Sequence, residues 1–418
     1  MGATMHTTEQ RHPILFVSSC APRPRDRMHG SFVHEIAKGI VAQGTDVDVF
    51  VPVRIFPSSQ LLVCLKTPWR FSLLMAAYKS WSNLWLQARG IHTFDNVRYV
   101  YCPYTSLPRA HKTGADVKRL TEGRLRRVAS QLHKNYSFIL GHFSETIKWV
   151  DHFSKTLNTP GGIFVHEDLM VSRDQDVSKE LEMQQSSLSI IFANSTKTAA
   201  QIATLNLKSS IVTACLGLND VFMRTAQQPL QSDRKDRVIH IVCVSRFFRW
   251  KNQSLLLDAA HRWNQNHVAP KIRLTLAGDS GPELHHLRLM ARKLSMEDSV
   301  VFTRIESPLS TFQALQNQDL FIFPSRFESF GIVAIEAIAL GIPVIFGNNI
   351  GAQKDLAMAG FHFPTFDQDS ADCLLACLSA NIPRMPSLLD LTTRARQHVL
   401  ATYSWRRCAE QIIQAIST

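Results

Sequence analysis

Residues 320–346 constrain the fold of this chain more than any other stretch. Leu320–Phe323 is a short, wholly apolar run, typical of a strand buried inside a parallel sheet. Pro324–Phe330 has the proline and serines of a loop. Gly331–Ala339 is apolar with one acidic residue inside, and Gly341-Ile-Pro343 ends it before a second apolar run. The order strand, loop, helix, strand predicts a doubly wound α/β sheet.

The start of that helix is a candidate binding site. The backbone N–H groups near Ser329, Phe330 and Gly331 have no partners inside the helix, because the first turn of a helix leaves its donors free. The helix dipole adds a partial positive charge at the same place. Such a helix end is suited to a phosphate group.

Two carboxylates, Glu328 and Glu336, flank this turn. An acid/base pair of a glycoside hydrolase is one interpretation, but residues eight apart along a helix lie roughly 12 Å apart along its axis. Hydrolase pairs stand about 5 to 9.5 Å apart. Two carboxylates at this separation are better suited to contact the two ends of one long ligand. The plain alternative is a carboxylate near the helix start and one paired glutamate further along.

The segment Glu328-Ser-Phe-Gly-Ile-Val-Ala-Ile-Glu336-Ala, followed by Gly341-Ile-Pro-Val, resembles the glutamate-x7-glutamate motif of retaining glycosyltransferases of the GT-B fold. The closest resemblance is to glycosyltransferase family 4. It implies two Rossmann-like domains facing a cleft, with a C-terminal helix that crosses back to the first domain. It also implies that Glu328 contacts the donor sugar and that Glu336 contacts the ribose of the nucleotide.

Length and composition agree with a two-domain soluble chain. At 418 residues the chain exceeds one typical core. The eight cysteines are scattered without a Cys-x-x-Cys pair, and Cys373 and Cys377 are interpreted as core positions, so a reducing compartment is expected. Met1–Gln10 is polar and no run approaches the ~18 apolar residues of a membrane span. We expect a cytoplasmic protein, peripheral at most on the inner face of the plasma membrane.

The positive charge is concentrated in the first third. Residues 1–134 contain 19 Lys and Arg against 8 Asp and Glu, a surplus of 11 in a chain whose net charge is +12. Neither zinc-binding spacing nor an aromatic RNA-binding motif accompanies it, so nucleic acid is not the expected partner. An anionic membrane surface or an acidic, lipid-linked substrate fits better. A merely solvated basic face remains the alternative.

Residues 56–89 combine aromatic and basic side chains. Trp81 and Trp85 are one helical turn apart. Such an amphipathic segment can lie on a membrane interface. It can equally pack on a sheet with its basic stems extended to solvent, and both interpretations stay open.

The chain opens with a strand, Ile14–Val17, a loop and a helical period over 29–43. Under the resemblance, Gly30 in this loop approaches the donor phosphates. The next strand contains Asp46-Val-Asp48, which has the spacing of a metal-binding Asp-x-Asp. We interpret it instead as the polar side of that strand, and no metal site is predicted.

Two further strands, Phe138–His142 and Gly162–His166, end in histidine, at the edge where open α/β sheets place ligands. Either histidine alone is more often structural. Under the resemblance, His142 lies near the transferred sugar. His166 and Asp168 face the acceptor side, where Asp168 contacts the acceptor or orients a neighbour.

The second half repeats the pattern, starting with a strand at Val238–Val244. The following loop carries Arg246 and Lys251 at the spacing that the family uses for the donor diphosphate. A guanidinium can fork two phosphate oxygens, and an ammonium adds a compact charge. By resemblance, Gly278 also borders the cleft, and the backbone at Arg304 and Ile305 reads the base.

The predicted organisation is an N-terminal domain over 1–225, a polar linker over 226–236, a nucleotide-sugar domain over 237–402 and a crossover helix over 403–418. The resemblance implies retaining, metal-independent transfer of a hexose-type sugar from a UDP- or GDP-linked donor to a glycan or lipid-linked acceptor. Assembly of cell-surface polysaccharide is the expected setting. A nucleotide-sugar epimerase and a catalytically silent protein at a membrane surface are the alternatives.

Overall fold

The computed structural model of the chain describes residues 12–22, 30–54, 90–104, 131–133, 135–169, 178, 181–182, 188–225, 238–266, 270–279 and 281–418. Within these ranges, no helix is long and apolar enough to cross a bilayer. The aromatic and basic segment 56–89 and the linker 226–236 lie outside the described residues, so both stay predictions.

The first domain is built from strands and helices. The elements are β1 (Ile14–Val17), α1 (Ser31–Val41), β2 (Val47–Arg54), β3 (Gly90–Phe94), β4 (Val97–Tyr104), β5 (Phe138–His142), α2 (Ile147–Leu157), β6 (Gly161–Val165), β7 (Ile190–Ala193), α3 (Thr196–Ala203), β8 (Ser210–Thr213) and α4 (Asp220–Thr225). The strands form one sheet in the order β3-β4-β2-β1-β5-β6-β7-β8. The pairs are parallel except for the β3–β4 hairpin. Strands added on both sides of β1 make the sheet doubly wound, as predicted.

The second domain has the same plan. Its elements are β9 (Val238–Val244), α5 (Gln253–Asn266), β10 (Lys271–Gly278), α6 (Glu283–Lys293), β11 (Val300–Arg304), α7 (Pro308–Leu315), β12 (Leu320–Phe323), α8 (Ile332–Ala339), β13 (Val344–Gly347), α9 (Gly351–Met358), β14 (Thr365–Phe366), α10 (Ala371–Asn381), α11 (Met385–Thr402) and α12 (Trp405–Ser417). The strands are parallel in the order β11-β10-β9-β12-β13-β14. The strand, loop, helix, strand unit at residues 320–346 is therefore confirmed.

The central strands of both sheets are buried at every position, which explains their unbroken apolar sequences. β1, β5 and β6 have no exposed residue, and neither do β12 and β13. Helices on both faces exclude water from such strands, so no polar alternation is needed.

The last helix crosses back to the first domain, as expected. Helix α12 packs on α1. The approach is close: a methyl group added at Gly39 would lie 2.9 Å from the carbonyl oxygen of Trp405. Just before the helix, the Leu218 amide donates to the Tyr403 carbonyl over 3.0 Å. The C-terminal segment is thus built into the first domain.

Two expectations about single side chains are wrong. Asp48 is on β2 but is buried instead of facing solvent, because Arg98 Nε donates to it at 2.7 Å and the Tyr136 hydroxyl at 2.5 Å. Its carboxylate forms a structural ion pair with Arg98 inside the domain. Cys373 is exposed on α10 and is not a core position. The cysteines in the described ranges are free thiols.

Candidate functional site

The turn between β12 and α8 has the geometry that its sequence predicts. Gly331 precedes the first helical residue with a φ of 98°, in the left-handed region. A Cβ at this position would come within 2.5 Å of the Phe323 ring. Gly331 is the N-cap residue, and within the described ranges no side chain caps the helix. The amides of its first turn are therefore not occupied by a capping group, and the positive end of the helix dipole faces the same point.

Lys251 and Glu328 are in direct contact beside this turn. The ammonium of Lys251 forms an ion pair with Glu328 Oε2, and both side chains are about four-fifths buried. Two backbone hydrogen bonds fix this arrangement: the Lys251 amide donates to Phe248 O at 2.8 Å, and the Arg326 amide donates to Trp250 O at 2.9 Å. The loop after β9 and the loop after β12 are thus joined.

Arg246 lies on the more open side of the same loop. Its guanidinium is 4.8 Å from the centre of the Phe248 ring, and its Nε is 3.4 Å from an Asp279 carboxylate oxygen. The side chain is 62% exposed. Gln253 braces the loop by donating to Ser245 Oγ and to the Arg246 carbonyl. Ring and carboxylate hold the cation without burying it, so it remains accessible to an anion.

Gly278, Arg304 and Ile305 meet at the edge where β10 and β11 end. A Cβ on Gly278 would lie 2.3 Å from the Ser245 carbonyl oxygen, so only glycine lets the two loops approach. The Ile305 amide donates to Gly278 O at 2.9 Å and is not available to a ligand. Arg304 is the last residue of β11, not the residue after it, and it pairs with Glu306 in solvent.

Glu336 is on α8, and its side chain is buried. Burial raises the pKa of this carboxyl from 4.5 to about 8, since a charge is poorly solvated there. In the described part of the chain, no side chain donates a hydrogen bond to it. At neutral pH the carboxyl is therefore largely protonated until a ligand supplies donors.

The two predicted histidines are adjacent at the carboxyl ends of β5 and β6. Nδ1 of His142 is 3.1 Å from Nε2 of His166, and the rings are nearly parallel. Burial lowers the pKa of His142 to about 3, and that of His166 well below 6.5. The remaining ring nitrogens, His142 Nε2 and His166 Nδ1, are buried without a partner among the described residues. Both rings are neutral, and each retains one ring nitrogen for a ligand.

Asp168 does not point its carboxylate into open space. It forms an ion pair with the Lys197 ammonium and accepts from Gln201 Nε2 at 2.9 Å, and its side chain is 6% exposed. The pairing fits a residue that orients its neighbours. A contact between Asp168 and an acceptor stays a prediction.

Ser329 is one of the residues through which the two domains contact each other. Its hydroxyl donates to His166 O at 2.6 Å and accepts from Asn194 Nδ2 at 3.0 Å. The Ser195 hydroxyl donates to Ser329 O at 2.7 Å. The turn before α8 is thereby bonded to the loop after β7 and to the backbone at His166. Asn194 and Ser195 were not predicted, although they follow a buried strand, which is the signal that identified the two histidines.

Gly30 is at the start of α1 with a φ of 68°, and a Cβ there would lie 2.3 Å from Cys20 O. The chain before the helix therefore crosses Gly30 closely, as a loop near a ligand requires. Its contact with phosphate stays a prediction. Among the residues that the structure describes, no cluster of three His, Cys, Asp or Glu side chains could hold a metal ion.

Known proteins are similar to this chain in sequence over part of its length and in fold. Residues 225–385 match the family model described as glycosyl transferases group 1. The D-inositol 3-phosphate glycosyltransferase of Corynebacterium urealyticum is 32% identical over 178 residues, 41% of either chain. The GDP-mannose-dependent alpha-(1-6)-phosphatidylinositol monomannoside mannosyltransferase of Mycolicibacterium smegmatis is 29% identical over 188 residues, 42% of this chain. The chain spans only 41% and 47% of the lengths of these two relatives.

Alignments with solved structures cover both domains of the chain. Sucrose-phosphate synthase from Thermosynechococcus elongatus aligns with a TM-score of 0.70 over 97% of this chain and 98% of its own, at 17% identity. Anabaena HepE in complex with UDP and glucose aligns with a TM-score of 0.66 over 98% of this chain and all of its own, at 16% identity. Residues 225–385 are therefore similar to the glycosyl transferases group 1 family, and the GT-B fold extends over both domains.

Proposed function

We propose that the chain is a retaining, metal-independent glycosyltransferase that moves a hexose-type sugar from a nucleotide-diphosphate donor to a glycan or lipid-linked acceptor. The observation that carries this proposal is the placement of three groups on the segment from β12 to α8 and on the loop packed against it. The open amides before α8, the Lys251–Glu328 ion pair and the buried Glu336 lie in the domain that matches the family.

The cations and the helix end act on the leaving group. When the sugar departs, negative charge grows on the diphosphate. Arg246, Lys251 and the first amides of α8 stand ready to oppose that charge without moving, which is the efficient form of electrostatic catalysis. Loss of one such donor typically raises the barrier by ~3 to 4 kcal/mol. These cations supply the charge that a metal ion supplies in other transferases.

The carboxylates hold the two ends of the donor. Glu336 accepts hydrogen bonds from the ribose hydroxyls, and Glu328 accepts from the sugar while Lys251 keeps it in place. The neutral His142 lies on the opposite wall and offers its free Nε2 to the sugar. The acceptor attacks on the face that the diphosphate leaves, and the leaving phosphate takes its proton, so the anomeric configuration is retained.

The donor and acceptor classes rest on the relatives and on charge. HepE was solved with UDP and glucose, and the mycobacterial relative is named for GDP-mannose, so UDP- and GDP-linked donors are the first candidates. Two relatives are named for a phosphorylated inositol or a phosphatidylinositol acceptor. The surplus of positive charge over 1–134 supports an anionic, phosphate-bearing acceptor at a membrane surface, within cell-surface polysaccharide or glycolipid assembly.

A ligand screen tests the proposal. Thermal shift across UDP-, GDP- and ADP-sugars selects the donor, and calorimetry then compares wild type with Lys251→Ala and Glu336→Ala. We expect affinity to fall by about 10- to 100-fold in Lys251→Ala, because a hydrogen bond to a charged group contributes ~1.5–3 kcal/mol. Lys293→Ala, an exposed lysine on α6 in the same domain, is the matched control and should leave affinity unchanged.

Donor consumption with and without an acceptor extract separates the alternatives. A transferase consumes donor mainly when acceptor is present, an epimerase converts it without acceptor, and a silent binding protein leaves it intact. Absence of binding to every nucleotide sugar, or equal affinity in wild type and Lys251→Ala, would overturn the proposal.

A further inference from the structure

Lys197 joins the two domains at the loops that carry Glu328 and Asn349. It is the second residue of α3 in the first domain, and its side chain is only 7% exposed. Its ammonium pairs with the Asp168 carboxylate and donates to two carbonyls of the second domain, Glu328 O at 3.1 Å and Asn349 O at 2.6 Å. A lysine ammonium has three N–H groups, and here each has its own acceptor.

The two carbonyls belong to two loops that are joined to each other through their backbones. Glu328 follows β12 and Ile350 follows β13, and these two residues form an isolated parallel bridge. Asn349, beside that bridge, has a φ of 66°. Lys197 therefore fastens both loops at the point where they join, through the backbone of the residue whose carboxylate contacts Lys251.

The position of this cation is unfavourable by local rules. A positive charge in the first turn of a helix opposes the helix dipole, and a buried ammonium needs full compensation. Asp168 provides the countercharge, and Gln201, one turn further along α3, holds the second oxygen of that carboxylate. Because local structure alone disfavours the lysine, its contacts across the cleft explain its presence.

A second contact docks the same helix end. The Asp355 carboxylate accepts from the Thr196 amide at 3.0 Å and from the Thr196 hydroxyl. Adjacent residues of α3, Thr196 and Lys197, thus both donate to acceptors on the second domain, a carboxylate and two backbone carbonyls. The start of α3 is therefore bonded to the second domain at two places.

We propose that Lys197 is a positioning residue for sugar transfer: oriented by Asp168, it holds the Glu328 loop against the first domain and so sets the closed geometry in which donor and acceptor meet. This inference rests on the proposed function. Lys197 touches neither substrate in this assignment. Its effect is on the step that needs both domains and not on the binding of nucleotide, whose predicted contacts lie in the second domain apart from Gly30.

The test compares Lys197→Met with the double variant Lys197→Met/Asp168→Asn. For Lys197→Met we expect a nucleotide-sugar Kd within about twofold of wild type and a turnover number at least about tenfold lower. A larger share of the consumed donor should go to water, because an open cleft admits it. X-ray scattering should give a radius of gyration larger than that of wild type with UDP-glucose or GDP-mannose bound.

In Lys197→Met the buried Asp168 carboxylate has lost its cation, and the double variant removes the charge of that carboxylate. If the single variant does not fold, the same measurements are made on the double variant. We expect the double variant to recover the melting temperature but not the turnover. Lys155→Met, which breaks an exposed pair with Asp151 on α2, is the control and should change neither.

Recovery of both properties in the double variant, or normal turnover in a folded Lys197→Met, would show that Lys197 is only structural. If wild type binds no nucleotide sugar at all, the proposed function fails instead, and the two failures are distinguishable.

Discussion

The buried Glu336 makes a quantitative prediction about pH. In the free protein its pKa is raised to about 8 by burial. In the donor complex, ribose hydroxyls would donate to the carboxylate and favour its charged form, so the pKa falls. Donor binding should therefore release a proton at neutral pH, and acid should weaken it.

The magnitude follows from linkage. One pKa unit corresponds to 1.36 kcal/mol. Between pH 8 and pH 6 the free carboxyl gains its proton, and expelling that proton on binding costs about 2.7 kcal/mol at pH 6. At pH 8 half of the free carboxyls are already ionised, so the Kd should be about 50-fold weaker at pH 6 than at pH 8. Above about pH 9 the affinity should be constant, because the group is then ionised before binding.

An intact sugar nucleotide is the suitable ligand, because its diphosphate carries esters at both ends and does not titrate in this range. Calorimetry at pH 6, 7 and 8 gives the slope. Repeating the pH 7 titration in phosphate and in Tris gives the number of protons released, which we expect to be about 0.9.

Glu336→Gln is the control for this measurement. An amide oxygen can still accept from a hydroxyl, but it has no proton to lose, so the pH dependence should disappear while some affinity remains. A wild-type affinity that changes less than about threefold between pH 6 and pH 8 would refute the reasoning. The same slope in Glu336→Gln would assign the proton to another group.

Two further predictions concern stability. Gly331→Ala should destabilise the protein by on the order of 3 kcal/mol in denaturant unfolding, because it combines left-handed strain with a clash against Phe323. Gly360→Ala, at a φ of 89° with no atom within 4 Å, should cost only about 1 kcal/mol, and equal losses would contradict the clash. The pKa of His142 is lowered to about 3, so the stability that its neutral form provides is complete above pH 6.5 and falls by about 2 kcal/mol at pH 5. Its ring nitrogens should stay neutral in NMR spectra down to pH 5, and titration between pH 5 and 7 would contradict this.

The sheet could be predicted because its strands are buried on both faces. A run such as Leu320–Phe323 or Phe138–His142 is apolar at almost every position, and few other structures need that. The position of the candidate ligand site was predicted from the same pattern, since open α/β sheets place ligands at the carboxyl ends of their strands. His142 and His166 were predicted in this way, and Glu328 was predicted from its spacing to Glu336.

The contacts between domains could not be predicted by the same means. Lys197 is an isolated cation in a helix of ordinary sequence, and its partners are 29, 131 and 152 residues away. Two of the three are backbone carbonyls, which carry no sequence signal. Asp48 was misjudged for a similar reason, since the alternation of β2 places it correctly in the strand but cannot reveal that Arg98 neutralises it.

The return of α12 to α1 has a consequence for how the molecule can be divided. A cut in the linker would yield a first half without the helix that covers Gly39, and a second half with an apolar flank facing water. Neither fragment would keep its native surface. Deletion of α12 should accordingly disturb the first domain, whose other elements come from the opposite end of the sequence.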